Sequence, residues 1–163
     1  MILITLKKNE IIYDIEYMSW KVAKVHFLED QPQTAVSVAV NQNDDKDYVD
    51  RLLESAIANV KSELQWCVDS RRQNVATDMV NPDKQEYDIV LDIDDDRQKV
   101  ADALCSALHD YVVCYATYHC LLLSAPSFAP SLAALAESHI NRAYALARNN
   151  MKYKYHCLWN ASS

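Results

Sequence analysis

Apolar and polar residues alternate along the first part of the chain, with the spacing of two that is typical of half-buried strands. The alternation runs through 2–6 (ILITL), resumes over 11–17 (IIYDIEY) and returns over 34–40 (TAVSVAV). Successive side chains of a strand point to opposite faces, so each of these three segments would have one apolar face as a strand. The pattern predicts a strand-rich N-terminal segment over residues 1–45.

A spacing of three to four residues replaces the alternation in the next part of the chain. Apolar side chains recur in this way from Val49 to Cys67, and charged residues occupy the opposite face. The pattern predicts an amphipathic helix over 47–68. The stretch 41–47 before it is rich in Asn and Asp, and this composition predicts a turn.

The following segment contains a connection, a strand and a long helix. Residues 69–86 are polar and predict a loop, whereas 87–93 (YDIVLDI) alternate and predict a single strand. The helix predicted after this strand runs over about 96–124 and ends before Pro126, because proline cannot continue a helix. At a rise of 1.5 Å per residue its length is on the order of 40 Å, which is long for a small domain.

The second half of this long helix, 111–123, is apolar on every side. A membrane span needs about 20 such residues, so burial within protein is favoured. Tyr111, Tyr115 and Tyr118 step along one side at helical spacing, and we expect them to pack on the helix of 47–68 and on the last helix.

Pro130 is well suited to the first turn of a last helix over 130–149, and the short link predicts that the two helices form an antiparallel hairpin. Glu137, Arg142 and Arg148 are predicted to lie on its polar face. The residues predicted to face inward are Leu132, Leu135, Ile140, Ala143 and Leu146.

Together these elements predict one domain over residues 1–163, in the α+β class and mainly α. It would be a helical bundle with a long central helix and a helical hairpin. The strand-rich segment 1–45 precedes a helical core over 46–150, which includes the strand 87–93, and a C-terminal arm follows over 151–163.

Composition narrows the classes of function. The chain contains no glycine, so it has no glycine-lined phosphate loop, dinucleotide-binding turn or nucleophile elbow. The formal net charge is −7, which disfavours a general affinity for nucleic acid. We identify no catalytic constellation and predict a protein that is not an enzyme and binds no cofactor.

The strongest candidate for metal chemistry is the segment 105–120, which contains three cysteines and two histidines. Cys105 and His109 share one helix face, as a pair of metal ligands would. Cys120 lies eleven residues beyond His109, roughly 16 Å along the axis, too far for the same ion. Cysteine often packs as a small hydrophobe, so a core without metal is the favoured interpretation.

The C-terminal arm combines aromatic and basic residues. Such a segment can dock on a neighbouring subunit, or it can bind a phosphate backbone and stack on bases. The acidity of the rest of the chain favours docking. The residues concerned are Lys152, Tyr153, Lys154, Tyr155 and Trp159.

Three segments carry a resemblance to a known class of proteins. They are 6–25 (LKKNEIIYDIEYMSWKVAKV), 48–64 (YVDRLLESAIANVKSEL) and the two predicted helices within 100–150. Their layout resembles small virion proteins of tailed bacteriophages and prophages of gut bacteria, in particular the head–tail connector or adaptor class that forms rings below the portal. The shared features are a YDI opening, a long helix with spaced tyrosines, a turn containing proline and an arginine-bearing last helix.

The resemblance implies a structural subunit of the virion, assembled in the cytoplasm of the bacterial host. Copies would form a ring, a dodecamer if the resemblance holds, that joins the portal to the tail or neck proteins. DNA would pass through the ring and contact it transiently. No membrane partner is expected. Glu137, Arg142 and Arg148 would then form subunit contacts or line the channel. Another tail ring, such as a tail-completion or terminator protein, and a small intracellular enzyme or regulator with a metal at Cys105 and His109 are the alternatives.

Overall fold

The computed structural model describes residues 1–27, 42–68, 84–93 and 98–150. Four helices and a small two-stranded antiparallel sheet make up these residues, which confirms the mainly α prediction within the α+β class. The predicted strand 34–40 and the C-terminal arm lie outside the described residues. The elements are β1 (Ile2–Lys7), α1 (Lys8–Phe27), α2 (Gln42–Glu63), β2 (Glu86–Leu91), α3 (Gln98–Ser124) and α4 (Ala129–Asn149).

The sheet pairs the first strand of the chain with a strand far away in sequence. β1 and β2 run antiparallel in a register that extends from Ile2 opposite Leu91 to Lys7 opposite Glu86. Alternate side chains point into the core, whereas Leu3 faces solvent. The predicted strands over 2–6 and 87–93 are therefore confirmed, and the sheet is half-buried as their alternation indicates.

The predicted strand over 11–17 is wrong, because these residues belong to helix α1. Ile11 and Ile15 are fully buried, whereas Tyr13 and Tyr17 are exposed. Each pair is four residues apart, so each occupies one face of a helix. Apolar residues on both faces of a helix produce the same alternation as a strand, and this explains the error. The N-terminal segment is consequently less strand-rich than predicted.

The start of α1 is fixed by a buried ion pair. The Nζ atom of Lys8 lies 2.8 Å from the Oδ2 atom of Asp50 on α2, and both side chains are almost completely buried. The backbone N–H of Lys8 also donates to the carbonyl of Gln85, next to β2. A buried charge is costly unless it is paired, so this contact specifies how the first residue of α1 meets α2.

Helix α2 confirms the amphipathic pattern, but it begins earlier than the predicted 47–68 and ends earlier as well, at Glu63. The stretch 41–47 was assigned to a turn, whereas the helix starts at Gln42. Asn and Asp are favoured at helix starts as well as in turns, so their presence does not separate the two. The buried face of α2 carries Leu53, Ile57 and Val60.

Helix α3 contacts all the other helices and strand β1. Leu104, Leu108 and Val112 are fully buried along it, and it ends at Ser124 before Pro126 as predicted. Its contacts with α2 and α4 form the largest apolar cluster, in which residues from both strands and all four helices take part. This packing accounts for a helix that is apolar on nearly every side.

Helices α3 and α4 run antiparallel. Leu121 and Leu132 share a cluster near the link between the helices, and Asp110 lies 3.8 Å from His139 further along both. The inward positions predicted on α4 are largely correct, but Leu135 is about half-exposed and Ala136 is buried instead. The helix therefore turns a narrow face of small residues toward α3.

Candidate functional site

An open cleft of about 720 Å³ lies between α1 and α3. Glu10 and Asp14 line it from α1, one helical turn apart, and Cys105 and His109 line it from α3, also one turn apart. The structure thus places the predicted Cys105–His109 pair opposite two carboxylates. The remaining lining residues are Asn9, Tyr13 and Ser106.

The histidine of the cleft is held by a carboxylate. The Nε2 atom of His109 lies 2.8 Å from the Oδ2 atom of Asp14, a contact that orients the ring and joins α1 to α3. Its Nε2 atom is therefore already engaged within the protein. A histidine held by a carboxylate in this way can have a structural role or can take part in acid–base chemistry.

The thiol of the cleft is poorly suited to nucleophilic chemistry. Burial raises the pKa of Cys105, and the carboxylates of Asp102 and Glu10 act in the same direction. The thiol also points its hydrogen toward the carbonyl of Thr5 at 3.9 Å. A reactive cysteine needs a lowered pKa and an electropositive surrounding, whereas this one lies near carboxylates.

The other cysteines of the described segments are packing residues. Burial raises the pKa of Cys67 to about 12 and that of Cys114 to about 11, and both side chains are buried. Cys120, like the others, is not part of a disulfide and packs against the main apolar cluster. Among the described residues, no three His, Cys, Asp or Glu side chains are grouped so that they could hold one metal ion.

The three predicted contact residues of α4 are exposed but do not form one site. Glu137, Arg142 and Arg148 all face solvent. At 100° per residue Glu137 and Arg148 lie on the same flank, whereas Arg142 projects roughly 130° away from them. Leu135, also exposed, shares the flank of Arg142. The predicted residues Lys152, Tyr153, Lys154, Tyr155 and Trp159 lie outside the described residues.

The exposed face of α1 carries large aromatic side chains, and the sequence pattern did not predict this surface. Tyr13, Tyr17 and Trp20 project from α1 on the side away from the core and are 64, 48 and 48% exposed. We call these three residues the aromatic row. The outer face of a surface helix is normally polar, so three exposed rings at these positions are unusual for such a helix.

Neighbouring side chains order the aromatic row. The rings of Tyr13 and Tyr17 stack at a centroid distance of 6.4 Å. Lys21 Nζ lies 4.5 Å from the centre of the Tyr17 ring, and Lys24 Nζ lies 4.9 Å from that of Trp20. Such cation–π contacts hold the rings in place on the surface. The rings are spaced four and three residues apart, which is a helical spacing. The strand predicted over 11–17 hid this signal, because it contains Tyr13 and Tyr17.

Comparisons of the chain with protein-family models, with curated proteins and with solved structures found no match. As for membranes, none of the helices among the described residues combines the length and apolarity that a span requires.

Proposed function

We propose that this protein is a non-enzymatic structural subunit, one that works by burying its surface on neighbouring subunits. The aromatic row of α1 carries this proposal. Tyrosine and tryptophan are enriched where proteins meet, because each ring buries a large apolar area at a low cost in side-chain entropy. The three rings also lie on a well-packed helix, so they are presented in a fixed geometry.

The hairpin supports the more specific proposal of a ring. A ring forms when one face of a subunit contacts a different face of the next. Helix α4 offers two chemically distinct flanks of this kind, one with Glu137 and Arg148 and the other with Leu135 and Arg142. Taken with the resemblance to connector proteins, this favours a ring at the neck of a tailed phage, between portal and tail, which lets DNA pass.

Electron microscopy of the purified protein, with mass measured by light scattering, tests the ring. We expect closed rings of uniform diameter, and we expect Arg142→Glu to reduce their number while its thermal melting stays unchanged. Arg51→Glu is a matched control, since Arg51 is exposed on a different helix. A protein that stays monomeric at every concentration and salt condition would contradict the proposal. Rings that bind purified tails but not portals would favour the tail-completion alternative.

A metal-binding enzyme or regulator is the second candidate, because Glu10 and Asp14 line the same cleft as the Cys105–His109 pair, although no three of these side chains are grouped so that they could hold one ion. The raised pKa of Cys105 weakens this candidate, since a metal binds the thiolate. Titration with Zn²⁺ checks it, with Cys105→Ser and His109→Ala as the variants. Tight binding of one ion per chain that both variants abolish would favour the metal site over the structural role.

A further inference from the structure

The aromatic row has a charge pattern that selects its partner. On the exposed side of α1, Glu10 lies before the row, whereas Lys21 and Lys24 both lie after it. Glu10 and Lys24 are each seven residues from Tyr17, one on either side. Tyr17 is therefore the centre of a surface that is acidic at one end and basic at the other.

We infer that the aromatic row binds a second copy of itself, with the two α1 helices antiparallel and related by a twofold axis at Tyr17. A twofold contact pairs residues at equal distances on opposite sides of its centre. Glu10 of each copy then faces Lys24 of the other, and the two Tyr17 rings meet at the axis. Glu10 and Lys24 lie within about 40° of each other around the helix, so both can reach the same flank of the contact.

Charge distinguishes this arrangement from the obvious competitors. Parallel pairing would place Glu10 against Glu10 and Lys24 against Lys24, and like charges in contact are destabilising. A nucleic-acid strand would meet the two lysines but also the carboxylate of Glu10, within a chain of net charge −7. The surface fits its own copy best, because only that partner satisfies both ends at once.

The contact is predicted to be weak when isolated. Its length from Glu10 to Lys24 is about 21 Å, and three partly exposed rings provide less than the roughly 800 Å² per partner of a stable interface. The Lys7–Glu10 ion pair, 2.9 Å long and exposed, does not prevent it, since exposed pairs contribute little. The inference rests on the proposed assembly function for the role of α1, but a twofold contact closes on itself and is distinct from the ring contact.

Sedimentation equilibrium of the full chain over a range of concentrations tests the inference. We expect a monomer–dimer equilibrium, or pairing of larger assemblies, that weakens in high salt. Glu10→Lys and Lys24→Glu should each raise the dimer Kd about tenfold, since each replaces two attractions by two repulsions. A mixture of the two variants should dimerise like the parent, because every charged contact between unlike copies is then attractive.

Tyr17→Ala provides a second arm, and Tyr48→Ala is its control because Tyr48 on α2 is equally exposed. We expect only the first to weaken the dimer, again about tenfold, while circular dichroism shows both variants folded. Failure of the mixed variants to recover dimerisation, or equal effects of Tyr17→Ala and Tyr48→Ala, would overturn the inference. If the variants still form ring-shaped assemblies but no longer pair through α1, the proposed function stands without this inference. If the unmodified protein shows no self-association at all, both the proposed function and the inference are wrong.

Discussion

Helices α1 and α3 carry the same aromatic pattern with opposite outcomes. Rings stand at intervals of four and three residues in both, over 13–20 in α1 and over 111–118 in α3. Tyr111 at the start of the α3 series is 7% exposed, whereas Tyr13 at the start of the α1 series is 64% exposed. Spacing therefore defines which residues share a face, and the neighbouring elements decide whether that face is covered.

The α3 series confirms only part of what its spacing predicted. Tyr111 is buried, and the hydroxyl of Tyr115 lies 3.1 Å from that of Ser55 on α2, so these two pack on α2 as expected. Tyr118 packs on the smaller cluster, in which Leu132 belongs to the last helix as predicted, whereas Ala23 belongs to α1. Their counterparts on α1 are 64, 48 and 48% exposed, and only Tyr13 borders the cleft between α1 and α3.

The largest predicted effect concerns the buried Lys8–Asp50 ion pair, which joins the start of α1 to α2. Asp50→Ala should lower the free energy of unfolding by about 3–5 kcal/mol, because the Lys8 ammonium is left buried without its carboxylate partner. Urea unfolding followed by circular dichroism measures this. The double variant Lys8→Met/Asp50→Leu should recover most of the stability, since it removes both charges. A single variant as stable as the parent would show that Lys8 reaches solvent and does not anchor α1.

The next prediction compares one ring from each helix. Tyr111→Ala should cost about 3 kcal/mol of folding stability, because it removes a large buried ring and leaves a cavity. Tyr17→Ala should change it by less than about 0.5 kcal/mol, as is usual for surface positions. Thermal and urea unfolding at low protein concentration separate the two. Equal losses would mean that the α1 row is covered within the monomer.

Tyr115 is an intermediate case, since it is half-buried and near Ser55. Tyr115→Ala should cost about 1–2 kcal/mol, less than Tyr111→Ala, because less apolar area leaves the core. Tyr115→Phe keeps the ring and should cost no more than about 1 kcal/mol. Combining it with Ser55→Ala tests the hydroxyl contact by a double-mutant cycle. Strictly additive losses would show that the two hydroxyls do not interact.

The smallest predicted effect is a dependence on pH from His119, whose ring contacts those of Tyr115 and Tyr118. Burial lowers the pKa of His119, so below pH about 6.5 the unfolded chain binds a proton more readily than the folded chain. Its contribution to stability is complete above that pH and is lost as the pH falls through the lowered pKa. His119→Gln should reduce the loss of stability between pH 7.5 and 5. An unchanged pH profile would contradict this.

The candidate site was partly predictable. Helical spacing placed Cys105 and His109 on one face, because residues four apart on a helix are neighbours. The carboxylates of Glu10 and Asp14 could not be added, since Asp14 belongs to the segment 11–17 that the alternation predicts as a strand and Glu10 directly precedes it. Burial of Cys105 next to β1 also depends on the fold, and it is the burial that raises its pKa.

Elements with local signals could be predicted from the residue pattern. Pro126 separates α3 from α4, the three-to-four spacing defines α2, and the alternation defines both strands of the sheet. The absence of glycine also agrees with the backbone, in which no described residue has a positive φ. Contacts between distant elements were needed to show that 11–17 is helical, that Tyr111 of α3 is buried and that the α1 rings are exposed. The physical reason is that burial depends on distant neighbours, so one spacing of apolar residues serves equally for a core face and for an exposed contact surface.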